Sequence, residues 1–128
     1  MLDAKRRAWV VVGLWVAIQL VITSLPGKDV PITANHPWDW FIHAGMYGML
    51  GVLIVRAAAV AGGWSGRRLV WLFVGISLYA AADEVHQLFI PGRNGSATDW
   101  VFDTVGVAAG ILLGRWMMSS ATVAKWLR

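Results

Sequence analysis

Long apolar runs make up most of this chain, and short segments rich in glycine, proline or polar residues separate them. The four runs cover approximately residues 8–25, 38–61, 68–89 and 99–118. Strong helix breakers follow three of them, at Pro26-Gly27, Gly62-Gly63 and Pro91-Gly92. As helices the runs would reach roughly 27–36 Å, enough to cross about 30 Å of hydrocarbon. The pattern predicts an all-α integral membrane four-helix bundle with short loops, in a single domain over residues 1–128.

The first run also has to be compared with a signal peptide, because Lys5, Arg6 and Arg7 precede it. Its apolar stretch is at the spanning threshold and is longer than the usual core of a signal peptide. Thr23-Ser24-Leu25 at its end does not resemble a small-residue cleavage site. We therefore expect a first helix that is retained.

Composition supports the membrane assignment. Hydrophobic residues make up 58% of the chain and charged residues only 14%, whereas soluble domains carry about 25% charged residues. Nine tryptophans and fourteen glycines suit membrane interfaces and close helix packing. Cysteine is absent, which excludes disulfides and thiolate chemistry.

Basic residues predict the orientation. Nine of the eleven would fall on one side of a four-helix arrangement, and only Lys28 and Arg93 on the other. The nine are Lys5, Arg6, Arg7, Arg56, Arg67, Arg68, Arg115, Lys125 and Arg128. The positive-inside rule then places both termini in the cytoplasm. The net charge of +4 thus reflects membrane orientation, and we expect no nucleic-acid binding.

Ionisable residues gather at the opposite, outer ends of three helices. They are Asp39 and His43 in the second run, Asp83, Glu84 and His86 in the third, and Asp99 and Asp103 in the fourth. Charged groups at hydrocarbon depth cost roughly 2.5–3.5 kcal/mol each at a helix centre, so they persist where they pair, bind a ligand or face water. Their common depth predicts a site at the outer membrane face.

Helical spacing arranges these residues on shared faces. Asp39, His43 and Tyr47 follow each other at intervals of four, and Asp83, His86 and Gln87 share a face of the third helix. In the fourth helix one face carries Asp99, Asp103, Gly106, Gly110 and Gly114. Its glycines predict a close approach of another helix, which would turn both aspartates towards the bundle interior.

Simpler explanations exist for several of these residues. Helix capping and the macrodipole are sufficient for Asp39 and Asp99. His43 could be a hydrogen-bonded packing residue, and His86 could face the headgroups. Arg93 either pairs with a carboxylate or holds an anionic headgroup. Asp83 and Glu84 lie at least one turn inside their helix, where an interior site is the better interpretation.

General acid–base chemistry is the catalytic class that these residues fit. Asp83 and Glu84, with His43, are the candidates for an acid, a base or a ligand-binding group. Gln87, Arg93, Asp99, Asp103, Tyr47, Asp39 and His86 are the binding candidates. His43, His86 and the carboxylates could also be considered for a metal, but no paired-histidine motif and no cysteine occurs, so we assign no metal ligand and no cofactor.

A family resemblance rests on these same motifs. The run Asp83-Glu84-Val85-His86-Gln87, the turn Pro91-Gly92-Arg93, and then Ser96, Asp99 and Gly106 resemble the signature of VanZ-like membrane proteins. His43 and Tyr47 match the family's H-x-x-x-Y spacing, and Ser24-Leu25-Pro26 resembles the end of its first helix. The resemblance implies a multi-pass protein of the bacterial inner (plasma) membrane, linked with glycopeptide (teicoplanin) resistance and the cell envelope.

Two departures make this site more acidic than the family pattern. Asp39 is followed by Trp40 where the family often has Asp-Lys, and Asp103 stands where it often has Asn. A lost lysine and a gained carboxylate favour cation or proton binding over simple phosphate binding.

Three functions remain open at this point. The first is an accessory envelope protein whose acidic site binds a lipid-linked cell-wall ligand or a partner without turnover. The second is a membrane-embedded enzyme acting on a lipid-linked substrate, and the third is a small proton-coupled transporter. Membrane lipids are expected partners in each case, and homo-oligomerisation stays an open alternative because four helices enclose little interior.

Overall fold

The computed structural model describes residues 3–30, 37–120 and 125. It contains four long helices: α1 (Ala4–Ser24), α2 (Pro37–Val60), α3 (Gly66–Gln87) and α4 (Ala97–Ser119). A short 3₁₀ turn, Gly27–Asp29, follows α1. The described residues include no strand. Each helix is long and apolar enough to span a membrane, which confirms the predicted four-helix architecture of a multi-pass membrane protein.

Side-chain caps explain where the helix starts differ from the predicted ones. Asp3 accepts a hydrogen bond from the Arg6 amide at 2.8 Å, so α1 begins at Ala4 instead of residue 8. Ser65 caps α3 in the same way, and Ser96 caps α4. The ends of α2 and α3 also differ slightly from the predicted positions, at Val60 and Gln87.

A glycine pair ends α2 in a Schellman motif. The amide of Gly63 donates to the Ala58 carbonyl at 2.9 Å, and that of Gly62 to the Ala59 carbonyl at 3.3 Å. Both glycines have positive φ, 130° and 101° in chain order, which an L-side chain rarely adopts. The turn reverses the chain directly into α3.

The closest helix pair is α2 with α4, and small residues allow it. Gly106 lies against the backbone of Ala44, Gly110 against that of Gly48, and Gly114 against Val52. The small-residue face predicted on α4 is therefore confirmed as a helix-packing seam. Because Asp103 lies about one turn from Gly106, this seam also brings it against α2.

Two loops meet at the end of the bundle where α1 and α3 finish. The Gly27 amide donates to the Pro91 carbonyl at 2.9 Å, and a Cβ on Gly27 would overlap the Gly92 backbone. We call this the polar end, made by the ends of α1 and α3 and the starts of α2 and α4. The outward faces of the helices are apolar, with Leu14, Leu78 and Leu112 each at least 60% exposed, as lipid contact requires.

Candidate functional site

His43, on α2, is the centre of the polar end. Its Nδ1 lies 2.8 Å from Asp103 Oδ1 on α4 and 3.7 Å from Glu84 Oε1 on α3. Its Nε2 lies 4.0 Å from Asp39 Oδ1, one turn earlier on α2. An ionised carboxylate can only accept a hydrogen bond, so the Nδ1–H of His43 is the donor whenever Asp103 is ionised. Three helices thus converge on one imidazole.

A second pair lies one turn deeper. The Tyr47 hydroxyl donates to Asp83 Oδ2 at 3.0 Å, joining α2 to α3. Tyr47 is 2% exposed and Asp83 is 4% exposed. The other carboxylate oxygen of Asp83 has no hydrogen-bond partner among the described residues. The predicted common face of Asp39, His43 and Tyr47 is present, and each of these residues points towards the site.

Glu84 links α3 to the start of α4. Its Oε2 accepts the Ser96 backbone amide at 2.9 Å, and its Oε1 faces Gln87 Nε2 at 3.5 Å. Gln87 in turn accepts a hydrogen bond from Arg93 Nη2 at 3.0 Å. The side chain that orients Arg93 is therefore an amide. The carboxylate partner, one of the two roles that the sequence left open for Arg93, is not found among the described residues.

Asp99 does not serve the capping role that its position suggests. Ser96 and Asp99 have the spacing of a capping box, in which the acidic side chain would accept the Ser96 amide. That amide is bonded to Glu84 instead. Asp99 is only 9% exposed, and its carboxylate has no hydrogen bond or ion pair among the described residues.

His86 is the predicted site residue that stands apart. It is exposed in the last turn of α3, and its Nε2 lies 3.1 Å from Ser24 Oγ on α1. Three residues along a helix leave it about 60° from Asp83, and that offset turns it towards α1. Of the predicted α3 face, Asp83 and Gln87 are buried in the site, whereas His86 helps to join α1 to α3.

Two adjoining cavities have Val30, Asp39, His43 and Arg93 in common in their walls. The larger, about 270 Å³, lies between α1, α2 and α3 and is partly open. Its lining is mainly apolar, from Ile22, Leu25, Ile42 and Met46, with polar groups of Asp39, His43, Tyr47, Asp83 and Arg93. The smaller, about 30 Å³, is polar and is lined by Asp39, His43, Gln87, Arg93, Asn94 and Asp99 together with Gly27 and Val30.

Buried negative charge dominates the electrostatics. Asp83, Glu84 and Asp103 are each at least 94% buried, and one oxygen of Asp83 and one of Asp103 have no partner among the described residues. The basic group paired with this cluster is His43, while Arg93 donates to Gln87. Unpaired buried carboxylates are costly, so the arrangement suits chemistry that brings in a proton or a cation.

Within the part of the chain that the structure describes, two groups have the geometry to hold a metal ion. One combines His43, Glu84 and Asp103, and the other combines Asp39, His43 and Asp99. In each, the three ligand atoms lie within 4.8 Å of one another. Both groups include His43. Its Nδ1 is the nitrogen close to Asp103 and Glu84, and its Nε2 is the nitrogen close to Asp39.

Sequence reasoning missed the backbone elements that build the site. The Ser96 amide on Glu84 and the contact between the Gly27 and Gly92 turns join segments far apart in sequence. Thr23, whose side chain is buried and lines the larger cavity, was also missed. Pro-Gly in both turns was visible, but nothing in either turn indicated that the other would lie against it.

Comparison with known proteins agrees with the motif-based assignment. No curated protein and no solved structure shows significant similarity to the chain. The family model described as VanZ/LLP1 matches residues 9–118, which include all of α2 and α3, most of α1 and α4, and every site residue above. The chain therefore belongs to the VanZ/LLP1 family.

Proposed function

We propose that this protein binds an amphiphilic ligand of the cell envelope, with the polar part of the ligand at the His43 site and its apolar part in the larger cavity. The observation that supports this is the cavity of about 270 Å³, whose wall changes from apolar side chains to a cluster of ionisable ones. Ligand sites commonly combine apolar walls with a few convergent polar groups. A lipid-linked cell-wall molecule has this division of chemistry.

The charge distribution supports an outer-leaflet ligand. Lys5, Arg6 and Arg7 lie at the start of α1, and Arg67 and Arg68 lie in the first turn of α3, all at the end opposite the site. The positive-inside rule favours a cytoplasmic position for that end. The polar end would then face the outer side of a bacterial plasma membrane, where cell-wall intermediates are used.

Membership of the VanZ-like family favours an accessory role in glycopeptide (teicoplanin) resistance or in handling envelope lipids and cell-wall precursors. Binding without turnover is sufficient for such a role. A protein that sequesters or presents a lipid-linked precursor can change how much of it an external glycopeptide reaches.

Catalysis on a lipid-linked substrate is the second candidate, and one contact favours it. His43 and Asp103, 2.8 Å apart, form the imidazole–carboxylate pair that many enzymes use to orient a general base. His43 lines both cavities, as a base must to reach a bound substrate. Asp83 and Glu84 remain candidate acids beside it.

Two methionines of α2 offer a matched test of the binding proposal. Met46 lines the larger cavity, whereas Met49 is 47% exposed on the surface of the bundle. Met46→Trp should fill the cavity and reduce the amount of lipid-linked precursor that copurifies with the protein, measured by mass spectrometry. Met49→Trp should retain it. Equal retention by both variants would contradict the proposed binding place.

The polar part of the site is tested by removing charge without changing size. Glu84→Gln and Asp83→Asn should abolish function while membrane insertion and monodispersity stay normal. The readout is the teicoplanin susceptibility of a host that expresses each variant, or its response to envelope stress. Wild-type behaviour of both variants would remove the support for a functional site at this end.

A further inference from the structure

We propose that Asp39, His43 and Asp99 bind one divalent transition-metal ion in the small polar chamber beside Arg93. Of the two metal-compatible groups, this is the one with open space between its ligand atoms. The proposal concerns the ion alone and does not depend on which lipid, if any, enters the larger cavity.

The imidazole of His43 is already oriented for such an ion. Its Nδ1 is engaged by Asp103 at 2.8 Å, which leaves the Nε2 lone pair available. Nε2 lies 4.0 Å from Asp39 Oδ1, too far for a hydrogen bond. Metal-bound histidines commonly donate their other ring nitrogen to a carboxylate, which is the part that Asp103 plays here.

The distances between the ligand atoms fit one ion. Metal–nitrogen and metal–oxygen distances of about 2.0–2.2 Å allow two ligands of one ion to lie up to roughly 4.2–4.4 Å apart. The separation of 4.0 Å between His43 Nε2 and Asp39 Oδ1 is inside that limit, whereas the bound of 4.8 Å on the separations among the three ligand atoms exceeds it by about 0.4 Å. Small side-chain rotations therefore close the site.

The alternative group fits less well because its shortest separation is that of a hydrogen bond. Two ligands on one ion at these metal–ligand distances lie about 3 Å apart or more, whereas His43 Nδ1 and Asp103 Oδ1 are 2.8 Å apart. Glu84 is also held through its other oxygen by the Ser96 amide. Asp103 and Glu84 thus lie on the Nδ1 side of the His43 ring, where Asp103 fixes its orientation.

The second, independent observation is the state of Asp99. This carboxylate belongs to a residue that is nine-tenths buried, lines the chamber and accepts no hydrogen bond among the described residues. Its expected partner, the Ser96 amide, is bonded to Glu84. A buried carboxylate without a hydrogen bond is destabilising unless something else compensates it, and a cation in the chamber would do so.

Space and charge are also suitable. The chamber of about 30 Å³ exceeds the 10–15 Å³ that one water molecule needs, so it can hold an ion with a coordinated water. Arg93 lines the same chamber but donates to Gln87, and no ion pair joins it to Asp39 or Asp99 among the described residues. One imidazole with two carboxylates suits Zn²⁺ or Mn²⁺.

Metal binding by the full chain in detergent tests the proposal directly. After chelator treatment and dialysis, Zn²⁺ and Mn²⁺ are titrated separately by calorimetry, and the bound metal is counted by mass spectrometry. We expect one ion per chain for at least one of the two metals. Asp99→Asn and Asp39→Asn should each weaken that binding at least tenfold, and Asp103→Asn by about 10–100-fold through the orientation of His43.

Matched controls come from the same end of the chain. Asp29 is an exposed carboxylate in the 3₁₀ turn, and His86 is a described histidine that lies outside the cluster. Asp29→Asn and His86→Gln should bind metal as the wild type does. The proposal is overturned if the wild type binds neither metal stoichiometrically, if Asp99→Asn and Asp39→Asn leave the affinity unchanged, or if both controls weaken it equally. Size-exclusion profiles and circular dichroism establish that each variant is folded.

Discussion

Replacing Gly106 by alanine is the sharpest test of how the fold builds the site. A Cβ at this position would lie 2.7 Å from the Ala44 Cα and still closer to the Ala44 carbonyl oxygen. Ordinary contacts begin near 3.4 Å. These neighbours are backbone atoms and cannot rotate away, so α2 and α4 must separate by at least about 0.7 Å, the kind of overpacking that costs about 1–3 kcal/mol.

The same separation weakens the site. Ala44 follows His43, and Gly106 lies about one turn from Asp103. His43 and Asp103 therefore move with the two helices that are pushed apart. The bond of 2.8 Å between them would lengthen to about 3.5 Å, the outer limit for a hydrogen bond. Gly106→Ala should therefore lose both stability and site function.

Gly45→Ala is the control, because it should change the free energy of unfolding in the opposite direction. Gly45 directly follows Ala44 on α2, and a Cβ there would meet nothing within 4 Å. Without a clash, alanine in place of a helical glycine stabilises by about 0.5–1 kcal/mol. Unfolding in detergent, followed by tryptophan fluorescence, should therefore show opposite shifts. Equal free energies of unfolding for the two variants would refute the seam as the origin of the close helix approach.

Other predictions address single contacts. Tyr47→Phe removes the hydrogen bond to Asp83 and should reduce the free energy of unfolding by about 1–3 kcal/mol, because a buried carboxylate oxygen loses its partner. Asp83→Asn in that background should then cost less than it does alone, which a double-mutant cycle measures. Ser96→Ala removes the α4 cap and should cost about 0.5–2 kcal/mol in the same unfolding assay. Gln19→Leu should be neutral or stabilising, because both polar atoms of this fully buried amide lack partners among the described residues. Reporter fusions at the C-terminus should be active on the cytoplasmic side only.

The helices and their order could be predicted because each depends on local sequence. Apolar runs, Pro-Gly and Gly-Gly breakers, and the glycine face of α4 are properties of single segments. The bounds were less accurate because caps such as Asp3 and Ser65 extend a helix beyond its apolar run. The site residues on α2 and α4 were predicted together because a four-residue period places them on one face.

The contacts that complete the site could not be predicted, because they join segments without a shared period. Glu84 takes the Ser96 amide across a turn, and that contact releases Asp99 from its capping role. The sequence therefore indicated a capping residue where the structure places a carboxylate that accepts no hydrogen bond from any described residue. The absence of paired histidines likewise argued against a metal, since it was not visible that the side chains of Asp39 and Asp99 would lie close to that of His43.

Asp103 explains why the extra acidity of this chain matters. The family pattern often has asparagine there, whose amide oxygen could also accept the His43 Nδ1–H. A carboxylate makes that hydrogen bond charge-assisted and so holds the ring more firmly. It also adds a negative charge, with no exposure to solvent, next to Asp83 and Glu84. Asp103 therefore orients His43 and also adds buried negative charge. A bound proton or cation would compensate that charge. That coupling makes Asp103 the residue through which the packing of α2 on α4 controls the chemistry of the site.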